Sequence, residues 1–142
     1  MILEFSDWLF NVDVPANRLY CAEEAESHCT CAYCRNFYRT VDGKYPNLRY
    51  FLSRFGMDLE APESLVPITH EVYQGSYIVQ GRILKKGVTP ILVDDIAITA
   101  DEDVEPGYFT LNLGIMNLPW VLEEDPSQLT PPISVREMLN IY

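Results

Sequence analysis

Apolar side chains recur along this chain with two periods, and the point where one gives way to the other divides it. Trp8, Phe10, Val12 and Val14 alternate with polar Asn11 and Asp13. A period of two marks a strand with one buried face, so residues 3–14 predict an N-terminal strand that Pro15 ends. Residues 17–27 are polar and acidic and predict a loop or a short helical turn. Cys31, Cys34, Phe37 and Tyr38 then fall at helical spacing, with Val41 continuing the stripe and Gly43 as its stop. Pro46 suits a first helical position, Leu48, Phe51, Leu52 and Phe55 follow at i, i+3, i+4 and i+7, and Gly56 is an exit. The expected result is a helical hairpin over about 30–41 and 46–55.

Beyond Pro62 the period returns to two. Residues 72–84 place Tyr73, Tyr77, Val79 and Ile83 on one face, together with Gly75 and Gly81. Glycine inside a strand predicts a bulge or a close contact with a neighbour. Lys85-Lys86-Gly87 reads as a turn, residues 91–99 as a second strand region interrupted by Asp94-Asp95, and residues 108–115 as a third. Residues 118–122 predict a fourth, confined to an edge by Pro119. Residues 134–142 predict a last short helix, with Ser134 as N-cap and Glu137 at capping-box spacing. Helices early and strands late give an α+β fold: an N-terminal strand, a helical hairpin, then a mainly antiparallel sheet. With 142 residues a single domain over 1–142 is expected, comprising a cysteine-containing helical segment at about 21–56, a β-rich segment at about 66–122 and a tail at 123–142.

Charge narrows the possible partners. The formal net charge is −11, which argues against nucleic acid and against an anionic membrane surface. It is unevenly spread, with six basic and four acidic residues between Arg18 and Arg54, but one basic residue (Arg136) and ten acidic ones from Gly87 onward. Such asymmetry favours docking to a protein partner or to a second copy, with a homodimer expected. The beginning of the sequence lacks a basic n-region, and no stretch reaches the ~18 apolar residues of a membrane span, so a cytoplasmic location is expected.

In a cytoplasmic setting, thiols are read as metal ligands or free groups before disulfides. All four cysteines lie between residues 21 and 34. Cys29, Cys31 and Cys34 have the spacing C-x-C-x-x-C, a turn followed by the first turn of a helix, whose N-terminus favours an anionic thiolate. A structural zinc site needs four such ligands, and Cys21 is the expected fourth. His28 is the alternative, disfavoured because adjacent side chains rarely converge. Unmetallated core thiols and a redox pair or disulfide are the competing readings.

The string Cys29-x-Cys31-x-x-Cys34-Arg35-Asn36-Phe37, followed by Tyr45-Pro46-x-Leu48-x-x-Phe51-Leu52 and Phe55-Gly56, resembles a block of an uncharacterised family of small bacterial proteins. The resemblance covers the first half of the chain and implies no activity, substrate or partner. Arg35, Arg39, Arg49 and Arg54 can bind an anion, although pairing with the acidic half is the simpler expectation. The acids at 94–95 and 101–105 lack a calcium-loop frame, and His70 has no nucleophile motif to serve. Without a P-loop, G-x-S-x-G or H-E-x-x-H motif, two functional classes stand: a non-enzymatic protein-interaction module whose cysteines hold a structural zinc, and a thiol- or metal-dependent enzyme using Cys29, Cys31 and Cys34.

Overall fold

A computed structural model describes residues 1–25 and 29–126. The alternating start is a hairpin rather than one strand, β1 (Ile2–Phe5) and β2 (Trp8–Val12). The turn between them holds Ser6 at φ 54°. Trp8, Phe10 and Val12 face the core as their alternation predicts.

Pro15 does not end an element; it opens one. Helix α1 spans Val14–Glu23, where a loop or short turn was expected. Asp13 caps it, its carboxylate accepting the Ala16 N–H at 3.1 Å. Proline fits a first turn, where its missing N–H has no intrahelical partner in any case. Buried Asn17 ties α1 inward, donating to the Phe55 carbonyl at 2.9 Å and accepting the Gln80 N–H at 2.8 Å. Gly56, at φ 81°, lets α1 approach: a Cβ there would stand 2.5 Å from the Val14 carbonyl oxygen.

Helix α2 (Ala32–Lys44) runs through Gly43 instead of stopping at it, and α3 spans Leu48–Arg54. The expected stripe of Leu48, Phe51, Leu52 and Phe55 is buried. Phe55 packs on the sheet, 5.4 Å from Phe10 and 6.3 Å from Phe109, ring centre to ring centre.

The β-rich part holds β3 (Ser64–Thr69), β4 (Val72–Lys85), β5 (Ile91–Val93), β6 (Ile96–Glu102) and β7 (Tyr108–Asn117). With β1 and β2 they form a seven-stranded antiparallel sheet in the order β1-β2-β4-β7-β6-β5, β3 also pairing with β4. β3 escaped the sequence reading because Pro67 demotes a strand; the register shifts just after it, where a proline is tolerated. Gly75 and Gly81 behave as expected. The β4–β7 register shifts between Tyr73 and Gly75, and a Cβ on Gly81 would stand 2.5 Å from the Asn11 carbonyl oxygen. Asp94-Asp95 is a two-residue hairpin turn with both residues at positive φ, 48° and 71°, joining β5 to β6. Residues 118–122 do not form a strand. The expected helix at 134–142 lies outside the described residues. No helix among the described residues is long and apolar enough to cross a membrane.

Arg49 on α3 ties that helix to α2 and to the segment that precedes β3. Its guanidinium donates to both Glu60 oxygens, at 2.9 and 2.6 Å, and to both Asp42 oxygens, at 3.1 and 3.0 Å. The hydrogen bonds from Arg49 hold the Glu60 carboxyl down at about 2, from its ordinary 4.5. A depressed carboxyl contributes stability that is present above the unfolded value and lost as pH falls towards the folded one. Asp58, pushed up by its hydrogen bond to Glu60 and by burial, works in the opposite sense. Arg49→Ala is therefore expected to lower stability by about 1 kcal/mol near neutral pH, a figure reduced for the solvent screening of half-exposed partners. Urea denaturation of both proteins at pH 6 and pH 2.5 should show the difference shrinking at the lower pH.

Candidate metal centre

Three sulfurs meet at the start of α2. The Sγ atoms of Cys29, Cys31 and Cys34 all lie within 4.8 Å of one another. The C-x-x-C spacing explains half of this. Cys31 is the N-cap of α2 in extended backbone, and its sulfur accepts the Cys34 N–H at 3.5 Å. An N-cap side chain naturally reaches the N–H three residues on, so Cys34 stands beside it. Arg35 completes the arrangement by donating from Nε to the Thr30 carbonyl at 2.9 Å, which fixes the loop carrying Cys29.

The three thiols are not equivalent. Cys29 and Cys31 are exposed, whereas Cys34 is buried. The Cys31 backbone N–H and the Cys34 side chain stabilise the Cys29 thiolate and push its pKa down. Burial pushes the Cys34 thiol well up, aided by its hydrogen bonds to Cys29 and Cys31. A Zn–S bond of about 2.3 Å places tetrahedral sulfurs about 3.8 Å apart, so contraction of about 1 Å at most makes the three a ligand set.

Cys21 does not join them. It sits on α1 with its sulfur accepting the Asp58 N–H at 3.4 Å and lying 4.0 Å from the Gly56 carbonyl oxygen. Burial raises its pKa, as suits a neutral core thiol. Of the four thiols expected to converge, three do and Cys21 does not; His28 lies outside the described residues. None of the four cysteines is disulfide-bonded. Among the described residues, the three sulfurs of Cys29, Cys31 and Cys34 are close enough together to hold a metal ion.

No family model, curated protein or solved structure matches this chain. The site must accordingly be read from its own geometry.

The sulfurs line a cleft of about 570 Å³. Tyr20 from α1, Tyr33 and Tyr38 from α2, and Leu65 and Pro67 from β3 give it apolar walls, and Glu24, Glu60 and Glu63 add carboxylates. None of these wall residues was legible as a site residue, since they come from four separate stretches and share no spacing. Asn36 was visible only as part of the cysteine block, whereas Arg35 was also legible as a basic helical residue. The expected pairing of basic helical residues with the acidic half holds for Arg35, whose guanidinium forms a bidentate pair with Glu124 at 2.8 Å for each bond. Arg49 pairs locally instead.

Proposed function

We propose that this chain is a non-enzymatic protein-interaction module whose Cys29, Cys31 and Cys34 thiolates hold a zinc ion. The observation that carries the reading is the approach of three sulfurs around a helix N-terminus. Zinc suits the donors, because thiolate is a soft ligand and the ion imposes no geometry of its own beyond what the ligands offer. The ion would pin the loop at residues 29–31 to the first turn of α2 and keep that end of the molecule rigid. A reducing, cytoplasmic setting would keep the thiols available. The acidic surface would orient a protein partner, or a second copy in a homodimer, and would repel nucleic acid.

Elemental analysis combined with native mass measurement tests this. One zinc per chain is expected in the wild type and in Cys21→Ser. Cys29→Ser, Cys31→Ser or Cys34→Ser should each weaken zinc by more than about 100-fold, because even outer-shell partners of a metal site are worth about 10–100-fold. Equal zinc in all four variants would refute the site. Light scattering at moderate salt reads self-association from the same samples.

A second reading, a thiol-dependent enzyme, is favoured by the exposure of Cys29 and Cys31 beside buried Cys34. It requires one thiol that reacts much faster than the others in metal-free protein. Uniformly slow labelling at all three positions would dismiss it.

A further inference from the structure

The cleft next to the cysteines has its own chemistry. Three thiolates on one divalent ion leave a net single negative charge and one tetrahedral position unfilled by the described residues. Cys29, Cys31 and Cys34 all line the same cleft, so an ion drawn between them has that cleft on its open side. Zinc sites that keep a position for an exogenous ligand have this three-ligand form, whereas closed structural sites use four protein ligands.

We infer that the cleft binds a small nitrogen-donor ligand with an apolar body, such as an imidazole or an amine, whose nitrogen completes the coordination of the ion. The inference rests on the zinc reading above. Three features select this class. A volume of about 570 Å³ is that of a small-molecule site, too confined for a protein surface to enter whole. The Tyr20, Tyr33 and Tyr38 rings, with Leu65 and Pro67, offer a flat or aliphatic body surfaces to pack on. The charge then decides the donor. Glu24, Glu60 and Glu63 line the cleft beside an ion whose thiolates already outweigh it, and although the Arg49 guanidinium offsets the charge of Glu60, those of Glu24 and Glu63 remain. An anionic donor such as a carboxylate or phosphate meets the like charge of the thiolates and of Glu24 and Glu63, whereas a neutral nitrogen lone pair does not. An amine that carries its proton elsewhere on the molecule gains from the carboxylates and from the faces of the tyrosine rings.

The test uses full-length protein loaded with Co²⁺ in place of zinc, because tetrahedral cobalt reports its ligands in visible absorption. Imidazole is expected to change the spectrum saturably, while acetate at the same concentration leaves it unaltered. Leu65→Trp, which adds bulk at the β3 wall of the cleft and removes no sulfur ligand, should weaken imidazole by at least 10-fold with cobalt stoichiometry unchanged. An imidazole response no weaker in Leu65→Trp would remove the cleft from the interaction. No response in wild type would show a closed site, and a response that emerges only in His28→Ala would assign the fourth position to His28; either overturns the inference. An equal response to acetate overturns the ligand class. Absence of thiolate-to-cobalt charge-transfer absorption marks failure of the metal reading itself, and the ligand site falls with it.

Discussion

Phe10→Ala is expected to destabilise the protein by about 3–5 kcal/mol, the range for truncating a fully buried aromatic. Phe10 has no exposed surface. Its ring centre lies 6.0 Å from Trp8, 6.5 Å from Phe5, 5.4 Å from Phe55 and 5.2 Å from Phe109. Those neighbours belong to β2, β1, the end of α3 and β7, so one ring joins the N-terminal hairpin to the helices and to the centre of the sheet. Removing it takes away transfer free energy and leaves a cavity that four large rigid rings cannot close by small rotations. Phe10→Leu keeps most of the volume and should cost appreciably less. Denaturant titration of the two variants against wild type gives both values. A loss under about 1 kcal/mol for Phe10→Ala would mean that the surrounding rings relax into the space and that this part of the core is not tightly packed.

Asn36→Ala is expected to cost about 2–4 kcal/mol, although it removes only a small polar group. Asn36 is fully buried on α2. Its Nδ2 donates to the Pro119 carbonyl at 3.0 Å and to the Tyr73 hydroxyl at 3.2 Å, and its Oδ1 accepts the Val121 N–H at 2.9 Å. Deleting the amide leaves three partners at the helix–sheet junction without their hydrogen bonds, and each buried unsatisfied group costs about 1–3 kcal/mol. Water reaching the half-buried Pro119 and Val121 groups offsets part of this. The same substitution frees the stretch after β7, so hydrogen exchange at the Val121 amide should rise with the loss in stability. Unchanged exchange there would show that Asn36 does not hold that stretch. Asn36→Asp retains the acceptor for Val121 but sets a carboxylate oxygen against the Pro119 carbonyl in a buried site, and should cost at least as much as alanine.

Asn36 also explains why residues 118–122 are not the expected edge strand. Their alternation and Pro119 satisfy a strand template locally, but the Val121 N–H is taken by a helix side chain 85 positions earlier in the chain. Arg35 acts next to it, joining Glu124 and the cysteine loop through one guanidinium. The Arg35-Asn36-Phe37 run that follows Cys34 therefore has a tertiary meaning. Arg35 and Asn36 fasten the chain beyond β7, and Phe37, with no exposed surface, packs 6.1 Å from Tyr73.

By itself the sequence determined which faces are buried and where the period changes. The α3 stripe, the α2 stripe from Cys34 onward, the β4 alternation, the β7 alternation as far as Leu113, the glycine contacts at Gly75 and Gly81 and the C-x-x-C step onto a helix start are consequences of local spacing, which the backbone converts directly into direction, whereas Cys31 and Ile115, expected on the same faces, are exposed. The opening of α1 was legible too, in Asp13 as cap and Pro15 in the first turn, but the strand alternation that leads into it masked that signal. Only the tertiary structure decided what each face meets. Cys21 has the same side chain as its three neighbours in sequence, yet α1 carries it to the Asp58 N–H and the Gly56 carbonyl, away from the other sulfurs. The cleft walls arise the same way, from α1, α2, the segment at 60–63 and β3. Periodicity encodes the orientation of a side chain relative to its own backbone, whereas a site with one ligand set and several walls is a property of how separate elements pack, and no spacing along the chain records that.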